Sequence, residues 1–83
     1  MNEEEFNKLD MDYRLEIINE HADFISVIKH FGFNICLYSF SGAYIEVFYN
    51  AHSNAIEDIA FIESTDNRMN LYAARVDISG LLK

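Results

Sequence analysis

Residues 39–61, SFSGAYIEVFYNAHSNAIEDIAF, decide how this chain is built. The runs AYIEVFYN and AIEDIAF are separated by the polar AHSN, and the first of them follows Ser41-Gly42. A glycine in a two-residue loop is a hairpin signal, so FNICLYSF (33–40) and AYIEVFYN (43–50) read as paired antiparallel strands. The turn sets the register. Tyr38 faces Ile45, Cys36 faces Val47 and Asn34 faces Tyr49 on one side, while Leu37 faces Glu46 and Ile35 faces Phe48 on the other. Continued strictly into AIEDIAF, the alternation would place Asp58 beside Val47. A bulge at Glu57-Asp58 removes that conflict and returns Ile59 and Phe61 to the side of Ile45, Val47 and Ile56.

The ribbon is then apolar on both sides. Cys36, Tyr38, Phe40, Ile45, Val47 and Tyr49 share the first side with Ile56, Ile59 and Phe61. The second carries Phe33, Ile35, Leu37, Tyr44, Phe48, Ala60 and Ile62, with Glu46 as its one mid-strand charge. A solvated sheet face alternates with polar residues, and this one does not. A C-terminal helix, strong curl of the sheet or a second molecule has to cover it. LYAARV (71–76) predicts a helix too short for the whole area, so a partner is expected on the remainder. A symmetric homodimer is the simplest supplier of a matching patch.

Upstream, NEEEF starts a helical turn, with Asn2 as cap and Glu5 three residues later. LDMDYRLEIINEH is the stronger helix, with Asp10 as N-cap and Asp12 near the positive end of the helix dipole. Steps of 100° gather Met11, Leu15, Ile18 and Ala22 on one face, and Asp12, Glu16, Glu20 and Asp23 opposite. In DFISVIKHFGF the spacing of Phe24, Ile25, Ile28 and Phe31 fits a helix, whereas its β-branched density fits a strand. The strand is the preferred reading, with HFGF as its turn. After the sheet come a polar STDNRMN loop, the short helix, and a DISGLLK tail anchored by Leu81 and Leu82. The expected fold is one α+β domain over 1–83: an N-terminal amphipathic helix packed on a three- or four-stranded antiparallel meander, then a short C-terminal helix.

The run NICLYSFSGAYIEVFYNAHSNAIEDIAF, closing with VDISGLL, resembles a family of small uncharacterised bacterial proteins of Bacteroidetes type, about this long. The likeness covers most of the chain and lies in strand and turn patterns. It implies the order of elements. The family carries no assigned activity, so no site residue follows from it.

Charge narrows the range of partners. The formal net charge is −8, and residues 1–23 hold eight acids against two bases. An acidic chain repels phosphate backbones and anionic lipid, so neither nucleic acid nor a membrane surface is the expected partner. No apolar run approaches the roughly 20 residues that span a bilayer. The acidic MNEEEF start is unlike a secretory leader, and the expected location is the cytoplasm. Cys36 is the single cysteine and reads as a buried structural thiol.

No constellation demands catalysis. His21, His30 and His52 lack the i, i+4 pairing and companion ligands of a metal site, and no cofactor motif occurs. Ser53, His52 and Asp58 crowd one turn, where triad geometry cannot form. Arg14 and His21 lie on one line of the helix among Ile17, Ile18 and Ile25. That line offers an anion pocket or minor active site, or else two stems along the core edge, with Asp10 placed to pair with Arg14. The leading expectation is a non-catalytic protein–protein interaction module, of the kind a small regulator, inhibitor or immunity-type protein uses. Asp12, Glu16 and Glu20 would engage a basic partner, and Tyr44, Glu46 and Phe48 would supply the sheet-face contact.

Overall fold

Two glycine turns organise the sheet. At Phe31-Gly32 and Ser41-Gly42 both residues have positive φ, 48° and 82° in the first and 49° and 79° in the second. This is the type I′ pattern, whose twist matches that of the strands it joins. The third turn is longer: the Asn50 side-chain oxygen accepts from the amides of His52 (2.9 Å) and Ser53 (3.1 Å). The computed structural model describes residues 2–75. Its elements are α1 (Glu3–Asn7), α2 (Met11–His21), β1 (Asp23–His30), β2 (Phe33–Phe40), β3 (Ala43–Asn50), β4 (Ile56–Ile62) and α3 (Met69–Arg75). The fold is α+β, with strand order β1-β2-β3-β4 and every neighbour antiparallel.

The ambiguous segment is β1. Its β-branched residues pair with β2, and Ile25 is the extra residue where the register shifts between Phe24 and Ser26. Between β2 and β3 the partners are Tyr38–Ile45, Cys36–Val47, Leu37–Glu46 and Ile35–Phe48, the register set by Ser41-Gly42. Along β4, Asp58 faces Phe48 and Ile56 faces Tyr49, so Glu57 is the bulged residue. Ile59 and Phe61 consequently face Val47 and Ile45.

Each sheet face has its own core. The first packs Phe40, Ile45, Val47 and Ile59 against Phe6 of α1 and Ile18 of α2. Both helices begin with a side-chain cap: Asn2 accepts from the Glu5 amide (2.8 Å) and Asp10 from the Tyr13 amide (3.0 Å). Five residues form a helix too short to persist alone. Here Phe6 holds α1 down, fully buried and edge-on to Phe61 at 5.3 Å between ring centres. The second core joins Ile28, Ile35, Leu37 and Ile62 to Tyr72 of α3. Although only seven residues long, α3 closes the centre of this face, leaving Phe33, Tyr44 and Phe48 half-buried at its rim. The anchoring expected of Leu81 and Leu82 lies outside the described residues. Among the described residues, no helix is long and apolar enough to cross a membrane.

Truncating Phe6 to Ala should destabilise the domain by about 3–5 kcal/mol, because the ring is buried and its cavity cannot fully collapse. Urea unfolding followed by far-UV circular dichroism checks this, with a lower midpoint expected.

Candidate functional site

Glu46 is the charge that interrupts the apolar pattern of β3, and the fold buries it: 1% of its surface is exposed. An unpaired carboxylate in such a place would be costly. Three donors meet it. Arg68 gives Nε to Oε2 (2.8 Å) and Nη2 to Oε1 (2.7 Å), a bidentate fork. The Tyr72 hydroxyl donates to Oε2 at 2.8 Å. Arg68 precedes α3 and Tyr72 lies one turn inside it, so a single carboxylate fastens that helix to the middle of the sheet. The Arg68 guanidinium also lies 5.7 Å from the centre of the Phe48 ring.

Burial and the bond to Glu46 together push the Tyr72 hydroxyl well above the ordinary tyrosine range, so it stays a donor. The Glu46 hydrogen bonds likewise hold Arg68 in its charged form. The cluster is closed on itself, with a fork and a hydroxyl saturating one carboxylate. That arrangement suits fastening, not proton transfer to a substrate.

Arg14 is a second fastener. It donates Nε to the Leu9 carbonyl (3.0 Å), Nη1 to the Ile59 carbonyl (3.2 Å) and Nη2 to the Asn7 carbonyl (2.6 Å). It thereby ties the α1–α2 corner to β4, and its guanidinium lies 5.9 Å from the Phe6 ring centre. The expected Asp10 partner is engaged elsewhere, since that carboxylate caps α2. His21 sits exposed at the end of α2 with its Nε2 3.7 Å from Glu20. Arg14 is thus turned onto backbone carbonyls while His21 faces solvent.

Asp12, Glu16 and Glu20 are all exposed along α2. Tyr44 and Phe48 are half-buried beside α3, whereas Glu46 has its charge committed within the chain. The structure therefore leaves the acidic stripe accessible and withdraws Glu46 from the surface. Compared with known proteins, the chain matches no family model, no curated protein and no solved structure. Among the described residues, no three His, Cys, Asp or Glu side chains cluster as metal ligands. Cys36 is half-buried on the first face, and burial raises its thiol pKa, which disfavours the reactive thiolate.

Sequence reasoning singled out Glu46 but not its partners. The available signal was a lone acid in an apolar row, which requires a cation and a donor. The polar loop held one of the chain's few arginines.

Removing the cation tests the fastening role. Arg68→Met should cost about 3–5 kcal/mol by leaving a buried carboxylate unpaired. The combined Glu46→Leu, Arg68→Met variant should recover most of that loss. Thermal melts of the three proteins check both expectations. Tyr72→Phe should cost about 1.5–3 kcal/mol at neutral pH, as expected for a hydrogen bond to a charged group. Because the folded-state pKa of Tyr72 is raised, its contribution is complete below the unfolded value of about 10 and is lost as pH climbs above it. The stability of Tyr72→Phe should accordingly fall less steeply than wild type between pH 10 and higher pH, measured by denaturant titration at each pH.

Proposed function

We propose that this chain is a non-catalytic protein–protein interaction module of the bacterial cytoplasm, working as a homodimer and docking a basic protein through the outer face of α2. The supporting observation is the exposed carboxylate row Asp12, Glu16 and Glu20. Asp12–Glu16 and Glu16–Glu20 are like-charge neighbours one turn apart, each unfavourable to the helix by roughly 0.2–0.5 kcal/mol. Among the described residues no lysine or arginine pairs with the row: Lys8 lies near Glu4, Arg14 binds backbone carbonyls and Arg68 binds Glu46, while His21 approaches Glu20 at the end of the helix. The row thus keeps its field for an external cationic surface, which it attracts and orients before contact. A small regulator, inhibitor or immunity-type protein uses this kind of surface.

Charge reversal at Asp12→Lys and Glu16→Lys tests the reading. Both side chains are solvated, so the fold should survive with its melting temperature little changed. Wild-type protein on a matrix should retain a basic partner from cell extract at low salt and release it as salt rises. The reversed protein should retain none. Equal retention by both proteins would remove the acidic face from the function.

A further inference from the structure

Among the described residues, Phe31 is the most exposed large apolar side chain, with 89% of its surface in water. It is also held at φ 48°, at the first central position of the β1–β2 turn. Asn, Asp or Gly suits that position. The other non-glycine residues at positive φ, Ser41 and Asn54, are small and polar. A bulky ring in this conformation is an outlier, and the turn itself needs none. Within the chain the ring meets that of His30 at 4.2 Å between centres, which still leaves most of it in water. An outlier of this kind points to a contact outside the chain.

Beside the ring lies a cleft of about 350 Å³, lined by His30, Phe33 and the small residues Gly32 and Ala51. A Cβ added to Gly32 would meet no atom within 4 Å, so the space over it is open. A cavity of about 150 Å³ holds a benzene ring, so the cleft has room for a phenyl group. Knob and cleft share one turn. A two-fold axis at the tip therefore brings the Phe31 of each copy to the cleft of the other, as an isologous contact requires.

Charge favours this place for the meeting of two copies. The formal net charge is −8, yet residues 24–56, from β1 through the third turn, hold one of the fourteen acids. That acid, Glu46, is buried and paired with Arg68. Asp66 borders His30 on the α3 side, and Lys29 lies on the opposite face of β1. Two molecules of like charge repel least where their acids are sparse. A basic partner is drawn instead to the α2 row.

We infer that the β1–β2 tip is a self-association surface, at which two copies exchange Phe31 side chains about a two-fold axis. The inference rests on the dimer of the proposed function and gives it a surface, which is the hairpin tip and not the second sheet face. A contact confined to a tip is smaller than the roughly 800 Å² per partner of a standard interface, so the dimer is reversible.

Sedimentation and light scattering across a dilution series from millimolar to low micromolar test it. Wild type should pass from twice 9.7 kDa to 9.7 kDa on dilution. Because the contact holds no ion pair, added salt should screen the repulsion between copies and tighten the dimer. Phe31→Asn suits the turn and removes the knob. Its melting temperature, read at a concentration where wild type is monomeric, should hold or rise, and it should stay monomeric at every concentration. A residue with a merely structural role would lose stability instead. Ala51→Gln fills the cleft from an exposed position and should weaken the dimer likewise. Should either variant fail to fold, the other decides. A wild-type monomer throughout would overturn both the tip contact and the dimer. A dimer indifferent to both substitutions, or one that salt dissociates, would overturn the tip alone. The Asp12→Lys, Glu16→Lys protein should still dimerise while losing its basic partner, so the two failures are distinguishable.

Discussion

The buried carboxylate of Glu46 is the constraint on which the rest of the architecture depends. An acid in the centre of an apolar sheet face is tolerable only with its donors in place, and these come from a loop and helix more than twenty residues further along the chain. Its burial therefore dictates where residues 66–72 must lie. Once Arg68 and Tyr72 reach Glu46, α3 rests on Ile28, Ile35, Leu37 and Ile62, and the second face acquires a core of its own. Non-directional apolar contact would let a seven-residue helix slide. A fork and a hydroxyl on one carboxylate fix its position.

The first face is held by a different device. There the contacts are apolar, with Phe6 and Ile18 set into the layer formed by Phe40, Ile45, Val47 and Ile59. Arg14 adds direction by gathering carbonyls from Asn7, Leu9 and Ile59. An arginine thus performs the same task on each face, to a carboxylate in one case and to backbone oxygens in the other. Each fixes a short helix whose own length could not secure it.

Much of the sheet was legible because its information is local. Ser41-Gly42 set the β2–β3 register, and the clash of Asp58 with Val47 located the bulge at Glu57 without any knowledge of the helices. Asn2 and Asp10 announced both helix starts for the same reason. The segment 23–30 stayed ambiguous, since eight residues of mixed pattern carry no decisive period and only pairing with β2 settles them as strand. Helix length alone understates the cover of the second face. Counting the residues of a short helix misses Arg68, whose reach extends the cover beyond the helix itself. Spacing alone sets Arg14 beside Asp10, but the capping bond to Tyr13 competes for that carboxylate, and competition of this kind is invisible in a helical projection.

The strand order has a consequence for how the chain reaches this state. Each strand pairs with its neighbour in sequence, so the sheet can grow by successive hairpins without closing a long loop first. The sequence contains no proline, so no slow imide isomerisation interrupts that growth. The distant appointments are made by the helices: Phe6 with Phe61, Arg14 with Ile59, and Arg68 and Tyr72 with Glu46. The meander can thus assemble on a fast, local timescale, and docking of the helices on its two faces is the later step that turns a bare sheet into a finished domain.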